Sequence, residues 1–457
     1  MLKRILIANR GEIAVRVIRA CRNLGVGSVA VYAKEDASAL HGKLADRRIC
    51  IGEGAASNSY LHMERIITAA KNTDCDAIHP GYGFLSENAA FVRLCEENGL
   101  TFIGPSANVI EQMGNKSNAR DQMRAAGVPV VPGSTEALYH AETALTVAKE
   151  IGFPVMIKAS AGGGGRGMRE CFKEEDFISL FDTAQRESAN AFGDDAMYLE
   201  KLILHPRHVE VQIMADTFGN VVSLGERDCS LQRNHQKLIE ESPSPAIDRE
   251  TARRMGEYAA LAAKSVGYVG AGTVEFIVSP AGEFYFMEMN TRIQVEHGVT
   301  ELVTGIDLVE EQIRVASGLP LSFTQKDITV HGHAMECRIN AEIPEQNFMP
   351  SPGTVTKLHL PGGNGVRVDT ALYTGYTVPS MYDSMIAKVL VHGADRDAAI
   401  ARMRAALDET VIAGIDTNLS FQYRLMDTEA FRIGKADTGF VEQFVSGGGR
   451  EETRNEN

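Results

Sequence analysis

Short apolar runs alternate with helix-periodic stretches along the first quarter of the chain. Ile5–Ala8 is apolar throughout; after it Ile13, Val17, Ala20, Cys21 and Leu24 recur at helical spacing and share one face. Val29–Tyr32, Arg48–Ile51, Ala77–His79 and Thr101–Ile103 read as further short strands, with helical patterns near 61–71 and 87–98. Strands alternating with helices over residues 1–115 predict a parallel, doubly wound sheet. The loop His79-Pro-Gly-Tyr-Gly-Phe-Leu-Ser-Glu-Asn88 falls where open α/β sheets bind ligands. Two readings stay open for it: Tyr82 lying over a flat ligand, or a structural turn followed by a helix capped by Ser86.

Strand patterns dominate further on. Val155–Ala159 predicts a strand carrying Lys158, and Met197–Ile203 and His208–Ile213 predict two more. Ala271–Ser279 and Gly282–Asn290 predict a hairpin. A four-residue turn would pair Val278 with Glu283 and Glu275 with Phe286, leaving Glu288 diagonal to Glu275 within about 8 Å. A one-residue bulge would break that arrangement. Beyond residue 330, His333–Glu342 and Met385–Val391 predict strands, Ala398–Leu407 a helix, and the tail Gly447–Asn457 disorder.

The most informative stretch is Glu288-Met-Asn-Thr-Arg-Ile-Gln-Val-Glu-His297. Glu288, Asn290, Arg292, Gln294 and Glu296 recur every second residue, so an extended chain would present them all on one face. The preceding Phe284-Tyr-Phe-Met287 predicts a strand buried on both sides. Buried carboxylates need a cation or donors to offset desolvation, and a metal-bound polyanion is the simplest such partner. The alternative is an amphipathic edge strand with a solvated polar face.

Composition narrows the class. A chain of 457 residues suggests about three domains of roughly 150 residues each. Apolar content of 44% and charged content of 23% are ordinary for a globular protein. The net charge of -14, with no long Lys/Arg run, argues against a sequence-independent nucleic-acid binder. No apolar run reaches the roughly 18 residues of a membrane span. Seven scattered cysteines without a Cys-x-x-Cys pair fit a reducing cytoplasm; Cys229, in a polar stretch, is either a reactive thiol or a small buried residue.

Two further stretches carry candidate chemistry. Ala161-Gly-Gly-Gly-Gly-Arg-Gly167 follows the strand that holds Lys158. Such glycines let backbone N–H groups approach an anion, although the Gly-Lys-Ser/Thr ending of a Walker loop is absent. A flexible linker is the other reading. Between Glu226 and Glu241, Arg227, Asp228, Gln232, Arg233, His235 and Lys237 form either a solvated loop or a set of donors for an anionic ligand.

From Glu288 to His297 the chain resembles biotin carboxylase, an ATP-grasp enzyme. Ala8-Asn-Arg-Gly-Glu-Ile13, His79–Asn88, Gly162–Met168, Glu226–Lys237 and Glu336-Cys-Arg-Ile-Asn-Ala-Glu342 fit the same family in order, to about residue 440. The resemblance implies a doubly wound N-terminal domain (1–115), an ATP-grasp domain (116–334) with a mobile lid at about 131–203, an α+β C-terminal domain (335–445), and a disordered tail (446–457). ATP would meet Lys116, Lys158, the amides of Gly164 and Gly165, Glu200, Lys201, Leu202, Ile203, His208, Gln232 and His235. Glu275, Glu288 and Asn290 would coordinate two Mg²⁺ or Mn²⁺ ions. Lys237, Arg292, Gln294 and the Val295 backbone would hold bicarbonate, with Glu296 as its base. Tyr82 and Arg338 would face biotin, and Arg338 carboxyphosphate as well.

The implied reaction is ATP-dependent carboxylation of biotin on a separate carrier protein, most readily for an acetyl-CoA carboxylase with its own carboxyltransferase subunit. Another ATP-grasp ligase forming an acyl phosphate is the alternative. Four positions depart from the family pattern: Gly298 where proline is usual, Asn234 for a basic residue, Ala161 for glycine, and Asn364 where an aromatic often helps pair protomers in the homodimer.

Overall fold

The computed structural model describes residues 1–159, 168–192 and 195–447, without the side chains of residues 116, 117, 191 and 192. The glycine run with Gly164 and Gly165, Ala161, the Lys116 side chain and the tail from residue 448 therefore lie outside the described residues.

β1 (Arg4–Ile7), β2 (Gly27–Ala33), β3 (Arg47–Gly52), β4 (Ala77–His79) and β5 (Thr101–Phe102) form a parallel sheet in the order β3-β2-β1-β4-β5. Ile5, Leu6 and Ile7 are wholly buried because helices cover both faces. The strand order reverses between β1 and β4, so the loops following these two strands open the crevice where such sheets bind ligands. The Asn9 side-chain amide donates to the Pro80 and Tyr82 carbonyls at 2.7 and 2.8 Å, joining the two loops. Gly81 has φ +64°, and a Cβ there would lie 2.9 Å from Asn9 Nδ2, so this close approach needs glycine. Asn88, not Ser86, caps the following helix, accepting from the Phe91 N–H.

A separate antiparallel unit contains β6 (Val155–Ala159), β7 (Met168–Cys171) and β8 (Met197–Lys201), ordered β7-β6-β8, and packs its apolar side around Phe177 and Phe181.

The largest sheet has eight strands: β9 (Arg207–Ala215), β10 (Val221–Arg233), β11 (Gln236–Ser242), β12 (Gly270–Val278), β13 (Phe284–Asn290), β14 (His333–Asn340), β15 (Val366–Thr370) and β16 (Met385–Gly393). Their order is β13-β12-β9-β10-β11-β14-β16-β15. Pairing of β11 with β14 carries the hydrogen bonds straight across the 334/335 boundary expected from the sequence. The two domains expected on either side of it share one sheet.

The hairpin register differs from the expected one. Val278 pairs with Phe284, and an irregularity that leaves Met287 out of the ladder then sets Glu275 directly opposite Glu288. A bulge combined with a longer turn thus brings the two carboxylates closer than the diagonal arrangement expected. The extended reading of Glu288–Glu296 fails after Asn290. The strand ends there, residues 291–296 form a loop, and Glu296 stands at the cap of the helix His297–Thr304. Glu87 turns the chain, accepting from the Thr291 N–H at 3.1 Å and from Arg292 Nε at 2.8 Å.

Candidate active site

The β10–β11 hairpin, β12–β13 and the 291–296 loop converge on a cavity of about 1250 Å³. Tyr82, His208, Gln232, His235, Lys237, Glu275, Glu288, Asn290, Arg292, Gln294, Val295, Glu296 and Arg338 line it, as do Asn9 and Arg10 from the switch-point crevice. Lys158 and Glu200–Ile203 are not on its wall. Glu200 instead binds Lys158 and Arg120, while Lys201 Nζ donates to the Gly152 and Phe153 carbonyls at 2.8 and 2.9 Å.

Lys237 is the centre of the charge arrangement. Its ammonium donates to Glu210 (2.6 Å), Glu296 (2.6 Å) and Glu275 (3.1 Å). Burial works against that charge, yet the surrounding carboxylates hold the Lys237 pKa well above the usual lysine range. The offset for the buried acids is therefore already supplied by the chain, where the sequence pointed to a bound polyanion. Burial also opposes ionisation of Glu275 and Glu296. Lys237 and His208 overcome it for Glu275, and Lys237 with Arg338 for Glu296, leaving both pKa values well below the ordinary one. Glu296 is gripped from both sides, since Arg338 Nη2 donates to its second oxygen at 2.8 Å. Arg338 Nε reaches Glu240 at 2.6 Å, fixing the plane of the guanidinium.

Gln294 donates to Glu275 at 2.7 Å, and Arg292 Nη2 to the Asn290 side-chain oxygen Oδ1 at 3.0 Å. The five side chains expected on one strand face thus do converge, but through a loop. The donor set suits a hard cation: Glu275, Glu288 and the Asn290 oxygen are oxygen ligands of the kind Mg²⁺ takes, and Glu210, Glu275 and Glu296 all draw on one lysine.

The Tyr82 hydroxyl donates to Glu12, so the ring is tied down at the cavity rim. Asn234 and His235 form the two-residue turn between β10 and β11 with φ of 50° and 62°. Asparagine tolerates that left-handed geometry better than a long basic side chain, which accounts for the departure at 234. Gly298 packs under Leu390, where a Cβ would overlap Leu390 Cδ2. Asn364 is exposed, and nothing in the structure explains it. Cys229 is fully buried; burial and then Glu210 push its thiol well above the ordinary value, so it is no reactive group.

Several site residues escaped the sequence reading. Glu210 and Gln212 share the face of β9 that carries His208, and the same period-two rule would have found them. Arg227, read only as part of a polar stretch, is wholly buried and binds Glu210, Gln212 and Gln294 at 2.6–2.7 Å.

Family models match three consecutive segments: the biotin carboxylase N-terminal domain over residues 1–110, the ATP-binding domain of the carbamoyl-phosphate synthase L chain over 115–324, and the biotin carboxylase C-terminal domain over 336–443. Biotin carboxylase 1 of Bacillus subtilis is 57% identical over 97% of this chain and 99% of its own. Among solved structures, the biotin carboxylase subunit of pyruvate carboxylase superposes with a TM-score of 0.91 and is 48% identical, over 99% of this chain and 100% of that one. The biotin carboxylase domain dimer of Hydrogenobacter thermophilus 2-oxoglutarate carboxylase, in complex with MgADP, ADP and bicarbonate, superposes with a TM-score of 0.88. It is 48% identical, over 97% of this chain and 98% of that one.

Proposed function

The chain belongs to the biotin carboxylase family of ATP-dependent ligases, and from that premise we propose how its own residues divide the reaction. The observation that supports the division best is the Lys237 ammonium shared by three buried carboxylates, one of which, Glu296, is also held by Arg338. Arg292, Gln294 and the Val295 backbone receive bicarbonate beside Lys237. Glu296 takes its proton, which frees an oxygen to attack the γ-phosphorus of ATP and release ADP. The lowered pKa of Glu296 keeps it ionised at neutral pH; the surrounding cations acidify the bicarbonate enough for transfer. Glu275, Glu288 and Asn290 would hold the divalent ions, which supply charge neutralisation on the phosphates. Lys116, Lys158, Gly164, Gly165 and Glu200–Ile203 are assigned to the nucleotide when the three-stranded unit comes down on the cavity, and His208, Gln232 and His235 to its near side.

The carboxyphosphate so formed splits into CO₂ and phosphate; the phosphate takes the ureido proton of biotin, whose nitrogen then attacks CO₂. Arg338 steadies these anions and Tyr82 borders the biotin entrance. ATP hydrolysis that requires bicarbonate and rises with free biotin is the expected signature. Turnover indifferent to both would favour another carboxylate ligase. For the final acceptor, relatives are named for the half-reaction alone, for pyruvate and for 2-oxoglutarate. We propose acetyl-CoA, served through a separate biotinylated carrier and a carboxyltransferase subunit. Affinity capture of the chain from its own cells, followed by identification of the carrier and transferase, tests this; a pyruvate-specific transferase would overturn it.

A further inference from the structure

One buried cation next to the site has no part in the division above. Lys388 lies in the middle of β16, in a run of apolar residues, and none of its side chain is exposed. Its ammonium donates to the Val295 carbonyl at 2.5 Å, within the loop that delivers Glu296. Around it stand Glu12 Oε1 at 3.5 Å, Asp369 Oδ2 at 3.9 Å and Glu336 Oε2 at 4.0 Å, from three different elements. Burial favours the neutral amine, but these acids outweigh it and raise the Lys388 pKa. Burial also pushes the Glu12 and Glu336 carboxyls up, so Asp369, held low against burial by Lys388 and Arg367, is the ionised partner.

The location is electrostatically unusual. Lys388 sits against the start of the helix His297–Thr304, where the macrodipole disfavours a cation. The three acids around it offset that repulsion. What it does there is set one peptide plane. The Val295 carbonyl belongs to the peptide joining Val295 to Glu296, so its direction governs where the Glu296 side chain leaves the backbone. Arg338, which grips Glu296, is the direct cross-strand partner of Lys388. Leu390, two residues on and on the same face, meets the helix at Gly298. The general base is thereby referenced to β16 through both its backbone and its side-chain partner.

We propose that Lys388 is a positioning residue for bicarbonate deprotonation: anchored by Glu12, Asp369 and Glu336, it fixes the Val295–Glu296 peptide and so aims the Glu296 carboxylate. This inference rests on Glu296 being the base. A modest misplacement of a reacting group reduces rate by roughly 100-fold. Steady-state kinetics of the whole protein with ATP, bicarbonate and free biotin, run on Lys388→Met, Lys388→Arg and Glu296→Gln, provide the test. For Lys388→Met, kcat/KM for bicarbonate should fall about 100-fold while the Kd for MgADP stays within about twofold, and Lys388→Arg should recover part of the loss. Should Lys388→Met fail to fold, the pair Lys388→Met/Asp369→Asn removes one cation and one anion together and should show the same split. Equal losses in bicarbonate use and nucleotide binding, or no loss, with Glu296→Gln inactive, would overturn the role of Lys388 and leave the base standing. Glu296→Gln turning over like the parent would remove the base and this inference with it.

Discussion

Two buried charge clusters meet the helix His297–Thr304, and they are built differently. Behind it, Arg16 binds Glu301 and Asp307, each at 2.7 Å, and Arg367 binds Glu301 at 2.7 Å and Asp369 at 2.7 and 3.0 Å. Glu301 is shared by the two arginines, Asp307 is held by Arg16 and Asp369 by two nitrogens of Arg367, and none of these residues borders the cavity. In front of the helix, one ammonium joins Glu210, Glu275 and Glu296, while Arg227 and Arg338 also hold Glu210 and Glu296; all but Glu210 and Arg227 of that group line the cavity wall. Planar forks lock a geometry, whereas an ammonium is a point charge that can be redistributed when a new ion arrives. The rear cluster, held by guanidiniums, suits a joint, while the shared ammonium at the front lets three acids rearrange around substrate and metal.

Substitutions should separate the two. The largest effect expected is from Glu296→Gln, up to roughly 10,000-fold lower bicarbonate-dependent ATP turnover in the folded protein, read by coupled ADP release. Next comes Arg16→Met, which leaves the buried Glu301 with Arg367 alone and the partly exposed Asp307 without its arginine, and should cost about 3 kcal/mol in denaturant unfolding. The fraction still folded should turn over within about twofold of the parent, which marks the rear cluster as structural. Gly298→Ala introduces a methyl against Leu390 at the point where the clusters adjoin; overpacking should cost about 1–3 kcal/mol, with partial recovery in Gly298→Ala/Leu390→Ala.

The smallest effect concerns pH. Burial, reinforced by Glu296 and opposed by Arg338, pushes Glu240 up to about 7 from an ordinary 4.5. The folded state then holds more protons than the unfolded one between those values, so stability falls as pH rises through them. Glu240→Gln should flatten that decline by on the order of 1 kcal/mol, measured as melting temperature against pH for both proteins.

What could be read from the chain divides along similar lines. The βα alternation of the first domain was legible because strands buried on both faces must be apolar, as Ile5–Ile7 are. That Glu288, Asn290, Arg292, Gln294 and Glu296 share one surface was legible from their types, but the strand that was to align them ends at Asn290. A period of two over five residues looks the same in a loop whose ends are tied by Glu87 and Lys237. Register was illegible for a similar reason, since no residue type marks a bulge at Met287. Lys388 went unnoticed because it is a single charge in an apolar stretch of strand, and the partners that make it tolerable lie far away in sequence.

The unbroken ladder from β13 to β15 has an evolutionary side. Family models end and begin at residues 324 and 336, yet β11 and β14 are zipped together across that seam, and Glu296 from one side is clasped by Arg338 from the other. Recombination at the seam would trade half a ladder for a stranger's. A catalyst divided by that seam works only while its two halves stay zipped together.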